Sequence, residues 1–156
     1  MSAVTLERQI LDAGVRQVEP LLVAHGFVEA PGDDGISHGG PWVRCRFHRG
    51  VLEISLKVRR RFGLGCPSYT EGHGYVSHDG LIRRLGCDGL EELVEGEFPS
   101  WKSKSGGDPF LAFKADLERI VLPALVKSEA NFRRALHEAH VDFMRSIGVY
   151  EEPEAG

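Results

Sequence analysis

Between Pro41 and Arg61 the chain reads PWVRCRFHRGVLEISLKVRRR, and no other stretch restricts the fold as much. Val43, Cys45 and Phe47 alternate with Arg44, Arg46 and His48; past Gly50, Leu52, Ile54, Leu56 and Val58 alternate with Glu53, Ser55, Lys57 and Arg59. Successive side chains of a strand point to opposite faces, so two consecutive alternating runs predict a half-buried antiparallel hairpin. A two-residue turn at Arg49-Gly50 sets Phe47 opposite Leu52, Cys45 opposite Ile54 and Val43 opposite Leu56. The other face then pairs Arg46 with Glu53, Arg44 with Ser55 and Trp42 with Lys57. A slip of one residue would bury the arginines, so the parity of the pairing is strongly specified. Gly50 suits the positive φ of such a turn; Arg49 is a poorer turn residue than Asn or Asp, which leaves a longer loop as the alternative.

The hairpin also stands apart in charge. The chain carries a formal net charge of −4 over 156 residues, yet residues 41–61 hold seven basic residues against Glu53 alone, a net of +6. Residues 1–40 sum to −4, residues 62–107 to −3 and residues 108–156 to −3. One basic segment in an otherwise acidic chain is the main functional clue. The hydrophobic fraction of 42% and charged fraction of 27% exclude a disordered or fibrous chain. A chain of this length buries roughly 68–70% of its unfolded surface, enough for a core without metal or disulfide. Cys45, Cys66 and Cys87 form no Cys-x-x-Cys spacing, which points to a reducing compartment and hence to the cytoplasm. No signal peptide or membrane-spanning run is evident.

Around the hairpin the pattern is helical. Residues 4–25 predict a helix with Leu6, Ile10, Gly14, Val18, Leu21 and Leu22 on one side, capped by Thr5, kinked or restarted at Pro20 and stopped by Gly26. Phe27 and Val28 suit a short edge strand, and Ala30 to Pro41, rich in glycine and proline, predicts a loop. Tyr69 to Val76 reads as a third, weaker strand. Asp79 is placed to cap a helix over 80–85, and Leu90, Leu93 and Val94 suggest one further helical turn before a polar loop from Trp101 to Gly107. Asp108-Pro109 is a strong helix start, with Phe110, Phe113, Leu117, Ile120, Val121 and Ala124 tracing one face and Pro123 kinking or ending the helix. Ser128 caps a last helix with Phe132, Leu136, Ala139, His140, Phe143 and Ile147 on its apolar side, stopped by Gly148. The expected fold is a single α+β domain over residues 1–150 with a disordered tail at 151–156. A small antiparallel sheet, built on the central hairpin, is packed by the N-terminal helix and two long C-terminal helices.

Trp42, Arg44, Arg46, Lys57 and Arg59 share the outer hairpin face, extended by Arg60 and Arg61, and are the candidate partner-binding residues. The bland alternative is a solvated face, or one covered by the acidic run Glu91, Glu92, Glu95 and Glu97. Cys66, His73, His78 and Cys87 are of zinc-ligating type, but their spacing matches no paired-ligand pattern. His137 and His140 stand three apart, not four as the zinc-protease helix requires, so His140 reads as a hydrogen-bonded core or interface histidine. Ser77-His78-Asp79 contains triad residue types, but neighbours in sequence do not align as nucleophile, base and orienter. Gly63-Leu-Gly65-Cys-Pro-Ser68 misses the dinucleotide fingerprint at its third glycine.

These readings lead to a non-enzymatic cytoplasmic binding protein, without cofactor, that presents the basic hairpin face to an acidic protein. In size and layout, though by no motif, the chain resembles small bacterial proteins of unknown function and toxin-neutralising immunity proteins, and the latter likeness implies protein docking. One alternative is a single-stranded nucleic-acid binder using Trp42 and the hairpin arginines. Another is a small-ligand or metal-dependent enzyme with its site between Gly63 and His78.

Overall fold

The hairpin of the computed structural model joins β2 (Gly40–Arg49) to β3 (Leu52–Arg59). The structure describes residues 5–37, 40–59, 63–72, 74–85, 93–95, 101–103 and 108–148. Arg49 pairs with Leu52, so the turn residues are Gly50 and Val51, one place later than Arg49-Gly50. The pairing therefore sets Phe47 against Ile54, Cys45 against Leu56 and Val43 against Val58, two residues from the expected register. Gly50, at φ +60°, takes the first central turn position, which spares Arg49 a left-handed conformation. Moving the turn by one residue changes the register by two and leaves parity intact. Val43, Cys45, Phe47, Leu52, Ile54, Leu56 and Val58 are accordingly all buried.

Ala30 to Ser37, expected to lie in a loop, belong to an edge strand that begins at Val28, where an edge strand was expected. β1 (Val28–Ser37) pairs antiparallel with β2, with a register shift between Ala30 and Asp33 that accommodates Pro31 and Gly32. A Cβ on Gly32 would run into the Arg44 carbonyl, so this bulge brings the two backbones closer than another residue allows. Proline, a bulge and two aspartates are residue choices suited to a sheet edge, and read locally they look like a loop.

On the far side of β3 lie β4 (Gly63–Leu64), β5 (Ser68–Glu71) and β6 (Gly74–Ser77); β5 and β6 form a hairpin around Gly72 at φ +61°. Among the described residues the sheet runs β1-β2-β3-β5-β6, and β4 pairs with the end of β3. Helix α2 (His78–Arg84) follows, and its cap is Ser77, whose hydroxyl accepts from the Gly80 N–H at 3.1 Å; Asp79 lies inside the first turn. β7 (Leu93–Glu95) and β8 (Trp101–Ser103) form a separate antiparallel ribbon where a helical turn and a loop were expected. Apolar residues at 90, 93 and 94 do not separate the two states by periodicity alone.

α1 (Thr5–Ala24) packs on β2 and β3, and contains Pro20 within its length. It ends in a Schellman motif: Gly26, at φ +83°, donates to the Val23 carbonyl and Phe27 to the Leu22 carbonyl. Its buried stripe is Glu7, Leu11, Gly14, Val15, Val18 and Leu22, while Leu6 and Ile10 are exposed, a rotation from the expected face. The Phe110 ring of α3 (Pro109–Asp116) occupies the space a Cβ would need at Gly14, so the two helices dock through that glycine.

α3 begins as expected, with the Asp108 carboxylate accepting from Phe110 N at 2.9 Å and Pro109 in the first turn. It continues through a π-helical turn (Leu117–Val121) into α4 (Leu122–Lys127), so the helix passes Pro123 instead of stopping there. A π turn widens the hydrogen-bond spacing just upstream of the proline, relieving its missing N–H and its crowding of the preceding turn. Ser128 caps α5 (Glu129–Ser146), accepting from Asn131 N at 3.2 Å. Phe132, Ala135, Leu136 and Ala139 of α5 join the α1, α3 and sheet residues in one core cluster. The architecture is thus α+β, an antiparallel sheet with the N-terminal helix and the C-terminal helices on one face. No helix among the described residues is long and apolar enough to cross a membrane.

Candidate functional site

The outer face of β2 and β3 carries Trp42, Arg44, Arg46, Lys57 and Arg59 together, as the alternation requires. In the observed register Trp42 lies opposite Arg59, Arg44 opposite Lys57 and Arg46 opposite Ser55. Arg44 and Lys57 are thus cross-strand neighbours of like charge, which is unfavourable unless something intervenes. Asp33 of β1, opposite Arg44 on the other side, takes the Arg44 guanidinium in a two-pronged bond, Nε at 2.7 Å and Nη2 at 2.5 Å. That bond holds the Asp33 carboxyl below the ordinary aspartate range.

Arg46 is also committed. Its Nε and Nη2 donate to the Pro31 carbonyl at 3.2 and 2.8 Å, and its Nη1 lies 3.6 Å from Glu53 Oε1. Glu53 further accepts from the Thr70 hydroxyl at 3.1 Å. The β1 bulge that leaves Pro31 beside Arg46 is therefore part of how this face is neutralised.

Lys57 and Arg59 differ. The Lys57 ammonium sits 4.2 Å from the Trp42 ring centroid, with the Arg44 guanidinium carbon at 5.8 Å. Arg59 Nη1 donates to the Ser37 hydroxyl at 3.0 Å. Among the described residues no carboxylate forms an ion pair with either of them. Burial, and then the neighbouring Arg59 and Arg44, hold the Lys57 ammonium below the ordinary lysine range. The Trp42 indole lies against β1 at Gly35, where a Cβ would stand 2.8 Å from its Cζ2. Arg60, Arg61, Glu91, Glu92 and Glu97 lie outside the described residues, as does the tail at 151–156.

A second polar cluster lies inside the core. The Tyr69 hydroxyl is 2.8 Å from His78 Nδ1, and His78 Nε2 is 2.8 Å from Asp116 Oδ2. Tyr69 and His78 are 0% exposed and Asp116 5%, so the chain of bonds ties β5, α2 and α3 together out of reach of a substrate. Every bond is met when Tyr69 O–H donates to Nδ1 and Nε2–H donates to the carboxylate. The Tyr69 ring stacks on His78, the Phe113 ring meets it edge-on, and burial pushes the Tyr69 hydroxyl well above the ordinary tyrosine range. His78 thus bonds to Asp116, 38 positions away, while Ser77 serves as a helix cap. The available signal was Asp116 itself, an acid three residues after Phe113 on the apolar side of a helix.

Of the four residues of zinc-ligating type, His73 and Cys87 lie outside the described residues. Both His78 ring nitrogens are engaged by Tyr69 and Asp116, and the Cys66 thiol lies 3.8 Å from Asp79 Oδ2. Among the described residues no three His, Cys, Asp or Glu side chains are grouped to hold a metal ion. His140 Nδ1 lies 2.9 Å from the Tyr75 carbonyl and 3.1 Å from its N–H, so α5 covers the edge of β6. Beside the hairpin turn a shallow cleft floored by Leu52, Leu125 and Phe132 is rimmed by two ion pairs, Arg49 with Glu129 at 3.0 Å and Arg133 with Glu71 at 3.5 Å. Opposite charges on its rim offset each other.

Compared with protein-family models, curated proteins and solved structures, the chain matches none.

Proposed function

We propose that this protein is a non-catalytic cytoplasmic binding protein that docks an acidic protein on the outer face of its sheet. One observation carries the reading: among the described residues that face sets four cations, Arg44, Arg46, Lys57 and Arg59, against two carboxylates, Asp33 and Glu53. A partner that supplies negative charge relieves the remaining repulsion, and such complementarity chiefly sets on-rate and specificity. Single-stranded nucleic acid is the weaker occupant. The chain's net charge of −4 repels a polyanion, and the Trp42 ring needed for base stacking is already engaged by Lys57 and Gly35.

The test uses the full chain as bait in cell extract, beside a Lys57→Glu/Arg59→Glu variant. An acidic protein retained by the unaltered chain, released by salt and lost from the variant supports the reading. Equal retention by both, or retention of nucleic acid alone, overturns it.

A further inference from the structure

The four cations of the outer face are not equivalent. Arg44 is closed by Asp33, and Arg46 by the Pro31 carbonyl and Glu53, so both already hold the acceptors their geometry suits. Lys57 and Arg59 have no such acceptor among the described carboxylates, and they stand beside each other at the Trp42 end of the hairpin. We propose that the Trp42, Lys57 and Arg59 corner is the seat of recognition, and that its occupant is an extended acidic segment of a partner protein placing one carboxylate between Lys57 and Arg59. The inference rests on the docking function proposed above and narrows it to three side chains.

Three features favour that occupant. The Arg44–Asp33 bond shows, on the same face, that this surface accepts an aspartate carboxylate in fork geometry, and Arg59 offers the same guanidinium one pair further along. Ser37 fixes one Arg59 nitrogen through its hydroxyl and leaves the guanidinium's other donors for an acceptor. Trp42, half-buried and lying on β1 at Gly35, carries the Lys57 ammonium over its ring and so holds that cation at the corner. A carboxylate arriving here meets two cations held together against their mutual repulsion. It also raises the Lys57 ammonium back toward its ordinary range, the thermodynamic counterpart of binding more tightly to the charged form. With two cations that no described carboxylate pairs, the seat matches one or two acidic side chains better than a run of phosphates.

The experiment is a titration of isotope-labelled full chain, followed by the Trp42 indole N–H signal in nuclear magnetic resonance. The probe is a capped eight-residue peptide alternating Glu and Thr, which presents its carboxylates on one side when extended. The same peptide with Gln for Glu, inorganic phosphate and an oligothymidylate serve as comparisons. Expected is saturable binding of the Glu peptide alone, weakened about tenfold by Lys57→Gln/Arg59→Gln and less than about twofold by Arg46→Gln. Circular dichroism of each variant verifies folding. If Arg46→Gln weakens binding as much as the double change, the seat is wrong while docking on this face stands. If the Gln peptide binds equally well, or the Glu peptide does not bind, the acidic-partner reading falls with it. Tighter binding of phosphate or the oligothymidylate assigns the corner to a phosphate ligand and overturns the proposed occupant.

Discussion

Tyr69→Phe is the sharpest test of the structure, because it removes one oxygen from the buried Tyr69–His78–Asp116 chain and leaves the ring in place. No cavity of consequence opens, so the expected loss is that of the hydrogen bond. His78 Nδ1 loses a hydroxyl at 2.8 Å in a place where both side chains are 0% exposed. A neutral hydrogen bond contributes about 1 kcal/mol net, and an acceptor stranded in the interior costs about 1–3 kcal/mol, so a loss of about 2 kcal/mol is expected. With a urea dependence of about 2 kcal/mol per molar, the unfolding midpoint falls by about 1 M at unchanged slope. Asp116→Asn keeps an oxygen to accept from Nε2–H and costs less. The double variant loses less than the sum of the two by at least about 0.5 kcal/mol, since the three groups act as one chain. The assay is urea unfolding followed by circular dichroism. A Tyr69→Phe loss below about 0.5 kcal/mol, or strictly additive effects, would refute the reading that this network holds β5, α2 and α3 together.

Gly14→Ala gains about 1 kcal/mol of helix propensity but forces a methyl into the buried Phe110 ring, an overpacking cost of about 1–3 kcal/mol, so thermal unfolding shows a net loss that Phe110→Leu partly restores. Burial, reinforced by Glu29, pushes the Cys45 thiol up to about 12 from an ordinary 9.0. Below pH 9 both states keep that proton; above it the unfolded chain releases it and the folded chain does not, so stability falls as pH rises, and Cys45→Val retains about 2–3 kcal/mol more of its pH 8 stability at pH 11. Arg44→Ser lowers stability at pH 7 by about 1 kcal/mol, because the pair is about a third exposed. That difference disappears as pH falls through the depressed Asp33 value, where the unfolded aspartate binds its proton first, and acid titration of both proteins measures it. Ser77→Ala removes the α2 cap at a cost of about 1 kcal/mol, visible as faster amide exchange at Gly80.

The amino-acid sequence by itself determined which side chains of residues 43–58 enter the core, because a period of two survives any even change of register. It determined the start of α3 and of α5 as well, since Asp108-Pro109 and Ser128 cap through bonds to residues only two and three positions away. It grouped Trp42, Arg44, Arg46, Lys57 and Arg59 on one face for the same reason of alternation. What only the tertiary structure decided lies in pairings between distant residues. β1 has the local signature of a loop, and becomes a strand because the open edge of β2 offers its backbone partners. Its bulge brings Asp33 to Arg44 and the Pro31 carbonyl to Arg46, and so separates these two arginines from Lys57 and Arg59, which no described carboxylate pairs. His78 finds Asp116 across 38 residues for the same reason: a buried polar group requires a partner, and only the packed chain decides which one is near.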